Sequence, residues 1–259
     1  MIGAIIGDIV GSTYEFHNTR DYNFELFPEG SSFTDDTICT IAIADAILKN
    51  DPYKNSLIRW CKRYPEKEAM FGIAFSTWFN SDNPQSYESF GNGAAMRVSP
   101  IGWAFDKEST VMRHAEWSAK CSHSHIEGIK GAITIAKSVF TLVRNHEKGR
   151  DQVHEICKYW YGADYEDRLP MAGVWDMTCM GCVPLAIHLF LNSRNFEDAI
   201  RLAISYGGDS DTLGAIVGSL AGAYYEIPED MAEKTMSYLP SEMLNVIYQF
   251  NNRCILNRV

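Results

Sequence analysis

Three glycines recur every four residues at each end of this chain: Gly3, Gly7 and Gly11, then Gly214, Gly218 and Gly222. Helix positions four apart share one face, so each triplet draws a strip without side chains. Glycine weakens a helix interior by about 1 kcal/mol relative to alanine. Repeating that penalty needs an offset, and close approach of two backbones supplies one. The first helix and the helix beginning near residue 211 are therefore expected to pack together. That contact would carry the N-terminal segment to the acidic stretch just before Gly214.

Helical periodicity dominates the rest of the sequence. It predicts helices at roughly 2–15, 35–49, 55–64, 66–79, 107–121, 126–146, 151–161, 178–192, 196–206, 211–226 and 241–251. Alternation of period two is scarce, and Asn92-Gly93, a dipeptide suited to hairpins, is followed by a helical pattern. The stretches 17–33 and 80–93 read as loops, rich in Asn, Ser, Gly and Pro, but neither separates domains. The expected fold is all-α, one multi-helix domain over residues 1–259 with no repeat of fixed period. Hydrophobic residues make up 46% of the chain, enough for a sizeable core.

The formal net charge of −10 argues against nucleic acid or an anionic membrane as a general partner. An anionic small ligand stays compatible if cations or helix N-termini supply local positive potential. The seven cysteines are odd in number and scattered, and several fall within apolar helical patterns. That usage fits a reduced, cytoplasmic compartment better than a disulfide framework. The first residues lack the basic region of a signal peptide, and no apolar run approaches the ~20 residues that span a bilayer.

Two clusters carry the chemistry: Thr34-Asp35-Asp36-Thr37 and Gly207-Gly208-Asp209-Ser210-Asp211-Thr212. Each stands where a loop gives way to an apolar, small-residue helix. Taken singly, each reads as an N-cap followed by acids that complement the helix dipole. Together they say more. Both combine aspartates with a threonine, and the paired glycines let the backbone turn sharply or approach a ligand. Four carboxylates with hydroxyls around one point need a counter-charge. An all-oxygen donor set suits Mg²⁺ or Mn²⁺ better than zinc, and two such ions would leave positions open for substrate and water. Asp8 falls inside the first glycine-lined helix, an unfavourable place for aspartate. It is expected to be a buried hydrogen-bonding residue that holds neighbouring loops. Glu15, at the end of that helix, reads by itself as a solvated acid.

The motifs taken in order resemble a known family. Gly3-Ala4-x-x-Gly7-Asp8-x-x-Gly11 with Glu15, then Thr34-Asp35-Asp36-Thr37, Gly91-Asn92-Gly93-Ala94-Ala95-Met96-Arg97, Ser122-His123 and Gly207-Gly208-Asp209-Ser210-Asp211-Thr212 resemble the ADP-ribosylglycohydrolases. These include the dinitrogenase-reductase-activating glycohydrolases, and the resemblance runs from residue 3 to about 228. It implies an all-α fold with a binuclear Mg²⁺ or Mn²⁺ centre. Thr34, Asp35 and Asp36 would be ligands from one side, and Asp209, Asp211 and Thr212 from the other. Glu15 matches a mobile glutamate near the metals that matters for turnover in some members. Asp35 and Asp36 join it as candidate catalytic groups. Gly91, Asn92 and Gly93 match the loop that holds ADP-ribose, and His123 matches the histidine of a Thr-His motif, with Ser122 in place of threonine. Gly207 and Gly208 complete the expected substrate contacts. Glu226 stands where many relatives have glycine.

The implied activity is hydrolysis of the glycosidic bond between ADP-ribose and an acceptor on a protein or small molecule. A module that binds ADP-ribose without cleaving it is the alternative from another class, and a structural protein stapled by metal is a third. Other signals are weaker. Cys179-x-x-Cys182 lacks a second pair for zinc. No Gly-x-Ser-x-Gly elbow or phosphate loop is present, and Gly91-Asn92-Gly93 has neither the third glycine nor the preceding strand of a dinucleotide fold. The six tryptophans fall at irregular spacing; most are expected in the core, and one or two could flank an adenine. Met96 and Arg97 read as packing residues.

Overall fold

The computed structural model describes residues 1–254; residues 255–259 of the expected domain lie outside the described residues. Chain order runs α1 (Ile2–Gly11), α2 (Asp35–Lys49), α3 (Tyr53–Cys61), α4 (Ile73–Asn80), α5 (Gly93–Met96), α6 (Ser99–Ala104) and α7 (Glu108–Lys120). It continues with α8 (Ile126–Arg144), α9 (Gly149–Tyr161), α10 (Cys179–Asn192), α11 (Phe196–Tyr206), α12 (Ser210–Tyr224), α13 (Glu229–Met236) and α14 (Ser241–Cys254). Among the described residues there is no sheet, only isolated bridges pairing Tyr87 with His123 and Gly91 with Thr178. The all-α expectation holds.

α1 and α12 form the most extensive helix contact in the molecule, as the glycine spacing predicts. Gly3 faces the Gly218 carbonyl, and Gly7 faces the Gly214 carbonyl. A Cβ on Gly11 would sit 2.5 Å from the Asp211 Cα, and one on Gly214 would sit 2.6 Å from the Gly7 carbonyl oxygen. The other side of α12 packs on α11, whose Ile200 and Ile204 side chains approach Gly218 and Gly214. α8 runs through the middle and touches α5, α6, α7, α9, α10 and α12. α2 lies between α3, α6 and α14. Its Ile38, Ile41 and Ile43 are fully buried.

The differences from the sequence expectations are local. The helix expected over 2–15 stops at Gly11, where the Ser12 hydroxyl turns back to the Ile9 carbonyl at 2.8 Å. Glu15 thus lies in a turn, not on a helix. The helix expected over 66–79 is a 3-10 turn, Pro65–Met70, followed by α4 beyond Gly72. α5, α6 and α13 have 4, 6 and 8 residues, too few for periodicity to declare them. The seven cysteines are free, and six are buried as small apolar groups.

Gly7→Ala places a methyl group on the Gly214 backbone, which has no rotamer with which to yield. We expect it to lower unfolding stability by about 3 kcal/mol, read from the urea midpoint at unchanged slope.

Candidate functional site

Three backbone segments converge at one end of the α1–α12 contact. α1 carries Asp8, and the turn after it carries Glu15. The N-terminus of α2 brings Thr34, Asp35 and Asp36, and that of α12 brings Asp209, Asp211 and Thr212. The clusters remote in sequence therefore meet: the Thr212 hydroxyl lies 3.2 Å from an Asp36 carboxylate oxygen. One oxygen each from Asp8, Asp36 and Asp211 lie within 4.8 Å of one another, and so do oxygens of Glu15, Asp209 and Asp211. Asp211 belongs to both groups, so the two positions adjoin.

Asp8 does what its place in α1 suggested. It accepts from the Thr34 hydroxyl at 2.6 Å, the Thr34 amide at 3.0 Å, the Thr37 amide at 3.1 Å and the Thr37 hydroxyl. These bonds tie α1 to the start of α2. Thr34 also caps α2, its hydroxyl accepting from the Asp36 amide at 3.3 Å. The capping reading and the site reading of Thr34 thus coexist in one side chain. On the other side, Asn92 donates to Asp209 at 2.7 Å and orients that carboxylate.

A cleft of about 270 Å³ opens over the acids. Glu15, Asp35, Asp209, Asp211 and Thr212 line one side, and Gly91, Asn92, Gly93 and His123 line another. Phe75, Ile73, Tyr87 and Met177 give it an apolar wall. The Gly91 loop is held from both sides. Tyr87 exchanges backbone hydrogen bonds with Ser122 and Ser124 at 3.0 and 2.9 Å, while Asn92 donates to the Met177 carbonyl at 2.7 Å. A larger groove of about 660 Å³ lies at the other end of α2, among Tyr53, Phe105, His114 and Trp117. The carboxylates gather in the smaller cleft.

Gly207 and Gly208 have φ of 78° and 89°, which explains why glycine is required there. They form the turn into α12. Asn18 locks that turn: the Gly208 amide donates to its side-chain oxygen at 2.6 Å, and its amide nitrogen donates to the carbonyls of Gly208 and Glu15, both at 3.0 Å. Asn18 thus joins the Glu15 turn to the Asp209 turn, a role no local pattern announced. His125 caps α8 by accepting from the Glu127 amide at 3.1 Å. The Cys179 thiol faces the Gly91 carbonyl at 3.2 Å.

The electrostatics point one way. Burial raises the proton affinity of Asp8, Asp35, Asp36, Asp209 and Asp211, and neighbouring carboxylates add to the rise in Asp35, Asp36 and Asp211. Glu15 is pushed up to about 7 by burial first, then by Asp209 and Asp8. Among the described residues, no lysine, arginine or histidine forms an ion pair with any of these acids. Among the described residues, the buried Oδ1 of Asp36 has no hydrogen-bond partner. A crowded, buried, all-oxygen set with an orphaned carboxylate oxygen fits hard divalent cations.

The raised affinities set a sign. A carboxyl that holds its proton more tightly when folded stabilises the fold at low pH and loses that contribution as pH rises through its native pKa. For Glu15 the window runs from 4.5 to about 7. Chelator-treated protein should therefore melt at a lower temperature at about pH 8 than at about pH 5.5. Added Mg²⁺ or Mn²⁺ should raise the melting temperature most at the higher pH, because protons no longer compete. Scanning calorimetry with and without cation checks both.

The family model described as ADP-ribosylglycohydrolase matches residues 1–255. The chain is 23% identical to ADP-ribosylhydrolase ARH3 of Homo sapiens, with 94% of this chain and 90% of that protein covered. It is 25% identical to ADP-ribosylarginine hydrolase Tri1 of Pseudomonas putida, covering 90% and 72%. It is 23% identical to ADP-ribosyl-[dinitrogen reductase] glycohydrolase of Rhodospirillum rubrum, covering 88% and 85%. A solved structure described as an ADP-ribosylglycohydrolase-related protein complex superposes with a TM-score of 0.75 at 23% identity, covering 98% of this chain and 96% of that one. That likeness is one of fold.

Proposed function

Because the chain belongs to the ADP-ribosylglycohydrolase family, we propose that it hydrolyses the glycosidic bond between ADP-ribose and an acceptor, with two Mg²⁺ or Mn²⁺ ions in the acidic site. The observation that carries this reading is the meeting of the 34–36 and 209–212 clusters under one cleft, with Asp211 common to two adjoining carboxylate groups. Thr34, Asp35 and Asp36 would hold the ions from α2, and Asp209, Asp211 and Thr212 from α12. Asp8 is close enough to Asp36 and Asp211 to contribute, but its oxygens already serve α2. When bound, the ions would orient the ribose hydroxyls, acidify a water and offset the repulsion among the carboxylates.

The chain's own residues supply the rest. The Gly91-Asn92-Gly93 loop brings backbone close to the ligand, since neither glycine interposes a side chain before His123. A Cβ on Gly93 would lie 3.4 Å from His123 Nε2, and one on Gly91 would lie 3.7 Å from it. Asn92 fixes the Asp209 carboxylate and leaves the other face of the loop to substrate. The apolar wall of Phe75, Ile73 and Met177 excludes water from one side of the ring. Glu15, raised to about 7, suits a general base that takes the proton of the attacking water near neutral pH. Positive charge develops on the ribose in an oxocarbenium-like transition state, and the surrounding carboxylates favour it.

On this reading the partners are ADP-ribose and its protein or small-molecule conjugates. In a release assay across ADP-ribosylated arginine, serine and other acceptors, Asp209→Ala and Asp36→Ala should each lower activity by more than about 100-fold. They should also blunt the melting-temperature rise with cation. Glu15→Gln should cut turnover while keeping the greater part of that rise. Full metal-dependent activity in Asp209→Ala would sink the ligand assignment. Tight ADP-ribose binding without turnover of any conjugate would make the protein a binding module instead.

A further inference from the structure

Arg97 is 1% exposed, yet among the described residues no carboxylate pairs with it. Its guanidinium carbon lies 5.5 Å from the Phe75 ring centroid, and among the described residues its Nε has no hydrogen-bond partner. Burying an unpaired guanidinium is costly, and a methionine or leucine would fill the space without that penalty. What Arg97 does contribute is directional. Its Nη2 donates to the Ser118 carbonyl at 2.9 Å and to the Ser122 hydroxyl at 2.8 Å. The same Ser122 hydroxyl lies 2.8 Å from His123 Nδ1.

Proton counting decides this chain of contacts. Arginine only donates, so the Ser122 oxygen accepts from it, and the single Ser122 hydrogen remains for His123. Ser122 is fully buried. Were the imidazole proton on Nδ1, the hydroxyl hydrogen would have to turn to the Cys121 sulfur, a far weaker acceptor than an imidazole nitrogen. Nδ1 is therefore the acceptor, and Nε2 carries the proton. Nε2 is also the atom that faces Gly91 and Gly93. The ring is flanked by Phe75 and Tyr87, at 6.2 and 5.7 Å between centroids. Arg97, Tyr87 and Cys121 are the charged and titratable groups around it, and the carboxylates of Glu15, Asp35, Asp209 and Asp211 line the same cleft. Burial, then the Arg97 charge, keeps the imidazolium from forming.

We propose that Arg97 and Ser122 are positioning residues that fix His123 as the Nε2–H imidazole, so that it presents a permanent N–H donor to an acceptor oxygen of the ligand seated against Gly91–Gly93. This rests on the reading of the cleft as the ADP-ribose site. It gives that site a recognition element whose hydrogen is set by the protein before any ligand arrives, in contrast to a histidine that titrates near neutrality.

Nitrogen-edited NMR of the histidine rings in the ligand-free protein tests it. His123 should show a protonated Nε2 and a bare Nδ1, constant from about pH 5 to about pH 8. Ser122→Ala should abolish the single tautomer and raise the Kd for ADP-ribose about tenfold, read by titration calorimetry. Ser122→Thr keeps a hydroxyl and should restore the wild-type ring signals. A protonated Nδ1, a ring that titrates in this range, or unchanged ring signals and affinity in Ser122→Ala would overturn the proposal. The ring signals are read without ligand, so a folded protein with the stated tautomer and no affinity for ADP-ribose would overturn the function assigned to the cleft while supporting the relay.

Discussion

Six carboxylates gathered in one patch repel each other, and a contact such as the Thr212 hydroxyl on Asp36 is too little to draw them together. The backbone must do so. It does this by pressing α1 against α12 at glycine, so closely that no β-carbon fits between the two chains. That contact fixes the height of Asp8 and Glu15 relative to Asp209 and Asp211. The site is therefore a consequence of helix packing, and the unfavourable electrostatics are carried by the core: Ile5, Ile6 and Ile9 on α1 and Ile216, Val217 and Leu220 on α12 are all fully buried. Burial of such side chains is worth roughly 2 kcal/mol each, which makes a strained acidic patch tolerable.

Asp8 shows how the second cluster is brought to the same place. A carboxylate inside a helix would weaken it, but here both oxygens are taken by the threonines that open α2. One side chain thus satisfies itself, caps a second helix and sets the angle at which Asp35 and Asp36 face α12. Asn18 plays the matching part on the far side, joining the Glu15 turn to the turn before Asp209. The acidic floor is held by these two residues as a frame, leaving Asp36 with an oxygen that the protein itself does not satisfy.

Much of this was legible in the sequence. Helices over 35–49 and 196–206 match their expected bounds, since side-chain caps at Thr34 and Asn195 mark where they begin. The glycine repeats foretold the α1–α12 pairing, and the acidic motifs foretold which residues meet. What local pattern could not give depends on partners far along the chain. Glu15 falls in a turn because Ser12 ends α1 early. Asn18 looks like any loop asparagine until Gly208 is seen beside it. Arg97 reads as packing, and in part it is, but its second role needs Ser118 and Ser122 in view. Trp60 and Trp78 are core as expected, whereas Trp117 and Trp175 are 52% and 40% exposed, a distinction that spacing does not encode.

The pairing of the first helix with one near the far end also bears on how the chain is made. During synthesis α1 leaves the ribosome early with an almost wholly apolar surface, and its intended neighbour does not yet exist. At ordinary elongation rates the wait is on the order of ten seconds or more. Until then the six carboxylates cannot assemble, so a nascent or truncated chain carries the acidic motifs apart from one another. Closure of this long loop is thus a late act of its maturation, before which a newborn chain most needs shielding from its neighbours.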